Sequence, residues 1–219
     1  MRLLQLVLLT SALFLTLSTL AYVFAGGAPK AVVDAKASLV SLWVKEGKKL
    51  VFTCSAGVVN LNGKPRVVTA AHCIEDVAKM YRVRTNDGKF HPVLQLEAIE
   101  AEEPQDYAVL RSTAVYVTPA LKVAPENLAQ GDEVFVWHHA LGFQALYSSG
   151  IFQGVIESLD GDDFFQPVWK MLKTTLEVGP GASGSIVLNE RGEAVGIVSR
   201  RLPAERYGMM GSILSPMPR

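Results

Sequence analysis

The sequence predicts an all-β protein, a barrel or a sandwich, that follows an apolar N-terminal segment. Short apolar runs of strand length repeat along the chain after residue 36, and regularly spaced runs of this kind are typical of such folds. The turn signals between them are Asn62-Gly63, Asn86-Asp87-Gly88, Asp160-Gly161 and Arg191-Gly192. Because Asn-Gly and Asp-Gly pairs supply positive φ at low steric cost, most of these signals favour hairpins.

The composition fits a globular domain and excludes several other classes of protein. The chain has 219 residues, of which 49% are hydrophobic and 19% are charged. This is enough chain to bury a substantial core, and it is too apolar for a disordered protein. The 21 basic residues balance the 21 acidic residues. We therefore expect no nucleic-acid partner, which would normally require a basic excess.

The N-terminal segment predicts export from the cytoplasm. Arg2 is followed by an uncharged apolar run over residues 3–25, and the next charge is Lys30. Small residues near Ala25 are typical of a signal peptide cleavage site. The run is also long enough for an uncleaved anchor, which would tether the chain to a membrane, and a buried core helix is the third interpretation. We expect residues 1–25 to be a signal peptide or signal anchor, residues 26–36 to be a linker, and the protein to be secreted, periplasmic or membrane-anchored.

The apolar runs give the predicted order of elements in the exported chain. A short helix is predicted over residues 70–79. Residues 118–131 contain Pro119 and Pro125 and no strong strand pattern, so we interpret them as a connection between two β halves. The predicted strands lie near residues 39–44, 50–54, 56–60, 66–69, 81–84, 91–98, 107–111, 133–138, 151–158, 168–174, 185–188, 194–200 and 209–214.

The chain has two cysteines, Cys54 and Cys73. An even number of cysteines in an exported chain favours one disulfide. Two buried free thiols are the alternative.

The first motif that carries chemistry is Thr69-Ala70-Ala71-His72-Cys73 at the end of an apolar run. Together with the upstream segment around Cys54, it resembles the trypsin-like serine peptidases. The resemblance implies that His72 is the general base and that Cys73 bonds back to Cys54 on the preceding strand.

The second motif is Gly179-Pro180-Gly181-Ala182-Ser183-Gly184. It resembles the nucleophile loop of the same family, and the following segment, which ends in Gly196-Ile197-Val198-Ser199, matches the family's next strands. The resemblance implies that Ser183 is the nucleophile, that the backbone amides of Gly181 and Ser183 form the oxyanion hole, and that Ser199 begins the segment that pairs with substrate. A serine hydroxyl is a weak nucleophile, so it needs a base within hydrogen-bond reach.

The third motif places Asp106 directly before the apolar run Tyr107–Leu110. It resembles the segment that carries the orienting carboxylate, and the order His72, Asp106, Ser183 is that of the chymotrypsin clan. The spacing is similar to bacterial HtrA-type peptidase domains. Asp76 is a competing candidate, but it lies too close along the chain to reach back to His72, and a cap or surface role suits it better.

The resemblance implies a fold of two six-stranded antiparallel β-barrels with the active site in the cleft between them, preceded by an N-terminal apolar helix. We expect the first barrel over residues 37–117, the connection over 118–131 and the second barrel over 132–219. The implied activity is a serine endopeptidase that acts on a protein or peptide through an acyl-enzyme on Ser183. It needs no cofactor and no metal.

Some positions depart from the family pattern. Ala182 stands where many trypsin-like zymogens carry an aspartate, so activation through a new N-terminus is not expected, and we expect no PDZ domain because the sequence ends at Arg219. Glu177 lies near the place where the family has the base of its first specificity pocket, and it could favour a basic side chain or simply be solvated. A catalytically silent domain that binds a partner or unfolded chains is the alternative function, and a structural β protein in which the three residues coincide by chance is the third.

Overall fold

The computed structural model describes residues 27–74, 76–101, 105–139, 142, 145–158, 169–202 and 211–218. The predicted apolar N-terminal helix, with the signal or anchor segment of residues 1–25, lies outside the described residues. No helix in the described part of the chain is both long enough and apolar enough to span a bilayer.

A short helix, α1, occupies Lys30–Ala35 and is followed by a 3-10 turn and a series of strands. The described strands in chain order are β1 (Leu39–Glu46), β2 (Lys49–Leu61), β3 (Lys64–Thr69), β4 (Tyr81–Arg84), β5 (Phe90–Glu100), β6 (Tyr107–Ser112), β7 (Leu121–Lys122), β8 (Glu133–His138), β9 (Leu146–Ser158), β10 (Trp169–Thr174), β11 (Ile186–Leu188), β12 (Ala194–Leu202) and β13 (Gly211–Pro216).

These strands form two closed six-stranded antiparallel barrels, as predicted. In the first barrel the order is β1-β4-β5-β6-β3-β2, and the pairing of β1 with β2 closes it. The short strand β7 adds to the edge of β2 in parallel. In the second barrel the order is β10-β13-β12-β11-β8-β9. Closure leaves each main strand of a barrel with a neighbour on both sides, which removes exposed sheet edges.

The hairpin between β2 and β3 shows how the turn signals act. Asn62 has a φ of 50° and Gly63 a φ of 78°, and both values lie in the left-handed region that two-residue hairpin turns require. Val58 pairs with Val67 across this hairpin, and both side chains are fully buried in the first barrel.

Each barrel encloses its own apolar core, and a further apolar cluster lies between the two barrels. Val59 and Val68 of the first barrel meet Ile186 and Ile197 of the second barrel there. Gly57 lies at a tight point of this interface, because a Cβ at that position would collide with the side chain of Ile186. This interface sets the position of the cleft between the barrels.

The helix predicted over residues 70–79 is wrong. The described residues there form a single 3-10 turn, Ala71–Cys73, and Ile74 leaves the helical region with a ψ of 76°. Cys73 is bonded to Cys54 on β2, and Asp76 accepts a hydrogen bond from the amide of Ala78. The disulfide and the turn that Asp76 stabilises therefore override the helix preference of the alanines.

Candidate active site

His72 lies where the first barrel meets the cleft. Strand β3 ends at Thr69, and the buried residues Ala70 and Ala71 lead into the 3-10 turn that carries His72. The small alanine side chains allow this turn to pack closely, and the disulfide between Cys54 and Cys73 ties it to β2. The imidazole remains accessible, with 49% of the side chain exposed.

Asp106 lies directly before β6 and contacts His72 twice. Its Oδ2 is 2.7 Å from His72 Nδ1, and its Oδ1 accepts a hydrogen bond of 3.1 Å from the backbone amide of His72. Burial by itself would raise the pKa of Asp106, but the hydrogen bonds from His72 and Ser199 outweigh it and hold the pKa below its ordinary value. The carboxylate is therefore ionised at neutral pH and fixes the ring orientation of His72.

Ser183 lies in the loop between β10 and β11, and its hydroxyl donates to the backbone carbonyl of Ser199 at 3.3 Å. The next residue, Gly184, has a φ of 82°. A side chain there would collide with Thr69 and with the carbonyl of Ser55 in the first barrel. Glycine is therefore required both by the backbone conformation and by the close approach of the two barrels.

Ser199 on β12 joins the nucleophile loop to the carboxylate. Its carbonyl accepts from the Ser183 hydroxyl, and its own hydroxyl donates to Asp106 Oδ2 at 2.6 Å. Asp106 and Ser183 thus both bond to one residue of the second barrel, and His72 joins this network through its bond to Asp106. The sequence assigned Ser199 only to substrate pairing, and its hydroxyl has this additional role in the cleft.

Around Ser183, from Gly181 to Ser185, two backbone amides have no acceptor among the described residues. The amides of Ala182, Gly184 and Ser185 donate to carbonyls of the loop or of β12 at 2.8–3.1 Å. Within the described ranges, the amides of Gly181 and Ser183 donate to no acceptor. They are the same two amides that the sequence resemblance assigns to the oxyanion hole.

Among the described residues, no hydrogen bond joins the two remaining candidates from the sequence to His72, Asp106 or Ser183. The side chain of Glu177 is exposed, and its backbone carbonyl accepts a hydrogen bond from Ser148. Asp76 caps the turn at Ala78. An exposed carboxylate is not the buried base of a specificity pocket, so the solvated interpretation of Glu177 is the better supported one.

The site offers no thiolate ligands for a metal. Cys54, His72 and Cys73 are close together, with potential ligand atoms within 4.8 Å of one another. However, both sulfur atoms belong to the disulfide, and metals bind the free thiolate.

Two serines near the site, Ser55 and Ser215, were assigned no role from the sequence. The hydroxyl of Ser215 on β13 accepts from the backbone amide of Asp106 at 2.9 Å. Ser55 on β2 contacts the nucleophile loop, and the amide of His139 donates to the Ser55 hydroxyl. Single serines in apolar strands form no motif, so only the three-dimensional pairing identifies them.

Comparison with known proteins agrees with this geometry. The trypsin-like peptidase domain family matches residues 54–197. The chain is 28% identical over 171 residues to the serine protease Do-like HtrA of Lactobacillus helveticus, covering 75% of this chain and 40% of that protein. It is also 28% identical over 134 residues to a probable periplasmic serine endoprotease DegP-like of Halomonas elongata, covering 61% of this chain and 27% of that protein. The chain thus spans less than half the length of these curated relatives.

Solved structures share the fold at low sequence identity. The active form of the Rv3671c protease from M. tuberculosis aligns with a TM-score of 0.68 at 19% identity, covering 87% of this chain and 81% of that chain. The HtrA-type protease AlgW with a decapeptide aligns with a TM-score of 0.68 at 17% identity, covering 87% of this chain and 64% of that chain. The family match spans most of the chain and includes all three candidate catalytic residues, so this chain belongs to the trypsin-like peptidase domain family and is similar to its HtrA-type members.

Proposed function

We propose that the chain is a serine endopeptidase that hydrolyses peptide bonds through an acyl-enzyme on Ser183. The observation that carries this proposal is one hydrogen-bonded network across the cleft: Ser199 bonds to the hydroxyl of Ser183 and to the carboxylate of Asp106, and Asp106 bonds to the imidazole of His72. The family membership and the HtrA-type relatives support the same activity.

In the proposed reaction, Asp106 accepts the Nδ1–H of His72, which leaves Nε2 as the proton acceptor. The bond from Ser183 to the Ser199 carbonyl is long at 3.3 Å and therefore weak. Rotation of the serine side chain releases this bond and turns the hydroxyl toward His72. Nε2 takes the proton as the oxygen attacks the substrate carbonyl, and it later gives the proton to the leaving amine.

The oxyanion of the tetrahedral intermediate forms next to Ser183. The unused amides of Gly181 and Ser183 are the donors that we assign to it. Removing one such donor costs about 10²–10³-fold in kcat in other serine peptidases, so these two groups account for a large part of the expected rate enhancement. Water then hydrolyses the acyl-enzyme with His72 again as the base.

We propose that the substrate is a protein or peptide and that the domain works outside the cytoplasm. The apolar, uncharged run over residues 3–25 supports export or a membrane tether, and one relative is described as periplasmic. We keep the proposed boundaries of residues 37–117 and 132–219 for the two barrels and 118–131 for the connection.

A fluorophosphonate probe tests this function directly. The folded protein should be labelled at Ser183 and should cleave an unstructured protein such as casein. Ser183→Ala should abolish both reactions, and Asp106→Asn should reduce both strongly because the imidazole then takes the wrong tautomer. A folded wild-type protein that neither reacts with the probe nor cleaves casein, but binds unfolded chains, would instead be a catalytically silent domain.

A further inference from the structure

Ser55 connects the first barrel to the nucleophile loop of the second barrel. It follows Cys54 on β2, and it is completely buried. Its partner loop contains both amides that we assign to the oxyanion hole. The residue is not one of the three candidate catalytic residues, and no catalytic motif includes it.

Ser55 contacts the loop through its backbone and its side chain. Its amide donates to the carbonyls of Gly181 and Ser183, both at 3.0 Å. Its hydroxyl donates to the carbonyl of Gly181 at 2.9 Å and accepts from the amide of His139 at 2.8 Å. The carbonyl of Gly181 therefore accepts two hydrogen bonds, and both come from Ser55.

Ser55 is itself held firmly in place. Its carbonyl accepts from the hydroxyl of Thr69 at 2.8 Å, and the preceding Cys54 is fixed by the disulfide to Cys73. The amide of His139 holds the hydroxyl from the side of the second barrel. The group that contacts Gly181 thus has little freedom to move with the loop.

The carbonyl of Gly181 is a sensitive point of the loop. Gly181 has a φ of 90°, and a glycine can change its backbone torsions at low steric cost. Rotation about this residue would turn its carbonyl and change the angle between its own amide and that of Ser183. A loop with this freedom needs an external contact to keep both amides directed at one point.

We propose that the hydroxyl of Ser55 is a positioning group for the oxyanion hole. It holds the carbonyl of Gly181, and through that carbonyl it keeps the amides of Gly181 and Ser183 in the orientation that binds the oxyanion. This inference rests on the proposed peptidase function. Ser55 does not touch the substrate, so it acts on the rate of acylation and not on the binding of the peptide.

Ser55→Ala tests the proposal because it removes the hydroxyl and keeps the two backbone bonds. Since those bonds remain, we expect a smaller loss than the removal of an entire oxyanion donor. The expected result is a fall in kcat of about tenfold, which corresponds to about 1.4 kcal/mol at 25 °C, with KM within about twofold. The rate of fluorophosphonate labelling should fall by the same factor as kcat. Rates are normalised to the number of folded molecules.

Ser112→Ala is the matched control. The hydroxyl of Ser112 also donates to a carbonyl, that of Pro92, and accepts from an amide, that of Ala114. Its side chain is also buried, but it lies in the first barrel and does not contact the loop. We expect this variant to lose stability like Ser55→Ala and to keep the kcat of the wild type.

The possible results distinguish a failure of the Ser55 inference from a failure of the proposed peptidase function. If the wild type is folded and unreactive, the proposed function fails. If the wild type reacts and Ser55→Ala has an unchanged or higher kcat, the Ser55 inference is overturned and the proposed function stands. The same conclusion follows if the kcat of Ser112→Ala falls as much as that of Ser55→Ala. If Ser55→Ala does not fold, Ser55→Gly is tested instead. It removes the same hydroxyl together with the Cβ atom, and the same criteria apply to it.

Discussion

The bond between Ser199 and Asp106 predicts a pH-dependent contribution to stability. Ser199→Ala removes a hydroxyl that donates to an ionised carboxylate at 2.6 Å, and hydrogen bonds to charged groups contribute about 1.5–3 kcal/mol. At pH 7 the variant should therefore lose about that much free energy of unfolding. The carbonyl of Ser199 remains, so the contact with Ser183 is kept.

The sign of the pH dependence follows from the pKa of Asp106, which folding lowers. A group of this kind stabilises the folded state above its unfolded pKa of about 3.9. That contribution is lost as the pH falls through the lower folded value. Ser199→Ala raises the folded pKa toward its ordinary value, because one of the two side-chain donors is gone. The loss in free energy of unfolding relative to the wild type should therefore become smaller as the pH falls below 4. It should approach the ~0.5–1.5 kcal/mol that a neutral hydrogen bond contributes.

Urea unfolding of both proteins at pH 7, and at the lowest pH at which both still fold, measures this difference. Ser212→Ala is the control, because the hydroxyl of Ser212 donates to the neutral carbonyl of Leu176 at 2.7 Å and Ser212 is also buried in the second barrel. The loss in free energy of unfolding of Ser212→Ala relative to the wild type should not change with pH. Parallel stability curves for Ser199→Ala and the wild type would refute the reasoning.

Three further variants test the contacts around the site. Ser215→Ala leaves the backbone amide of Asp106 without its acceptor and should cost about 1–3 kcal/mol in urea unfolding; an unchanged midpoint would show that water replaces the hydroxyl. The double change Cys54→Ala and Cys73→Ala opens a loop with a sequence separation of 19 and should cost about 3 kcal/mol, whereas equal stability of the oxidised wild type and the variant would contradict that estimate. Gly184→Ala combines a φ of 82° with a collision against the first barrel, so it should abolish soluble folded protein, and a cooperatively folding variant in thermal unfolding would argue against that tight contact.

The sequence predicted the strands well because each strand carries its own local signal. The apolar run near residues 107–111 and the Asn62-Gly63 turn are recognised from neighbouring residues, and the structure has β6 and the β2–β3 hairpin at those places. Strand β2 was predicted as two runs, near residues 50–54 and 56–60, but it is continuous over Lys49–Leu61. A small residue such as Ser55 interrupts an apolar pattern without interrupting the strand.

The contacts that position the site could not be predicted in the same way. His72, Asp106 and Ser183 are recognised because they lie in motifs of several adjacent residues. Ser55 and Ser215 are single small residues whose partners are 126 and 109 positions away along the chain. Their importance depends on the register of two barrels and on which hydroxyl meets which carbonyl, and neither is encoded in the local sequence.

These contacts form a reciprocal arrangement across the cleft. Asp106 belongs to the first barrel, and its carboxylate and amide contact Ser199 and Ser215 of the second barrel. The loop with Ser183 belongs to the second barrel, and it is held by Ser55 of the first barrel. Neither barrel therefore contains a complete site, and each supplies hydrogen bonds that hold a catalytic group of the other. Hydrogen bonds are directional, and they are lost when donor and acceptor move apart by about 1 Å or less. A small separation of the barrels should therefore stop catalysis before either barrel unfolds. Activity should consequently be lost at lower urea concentrations than the β-sheet signal in circular dichroism.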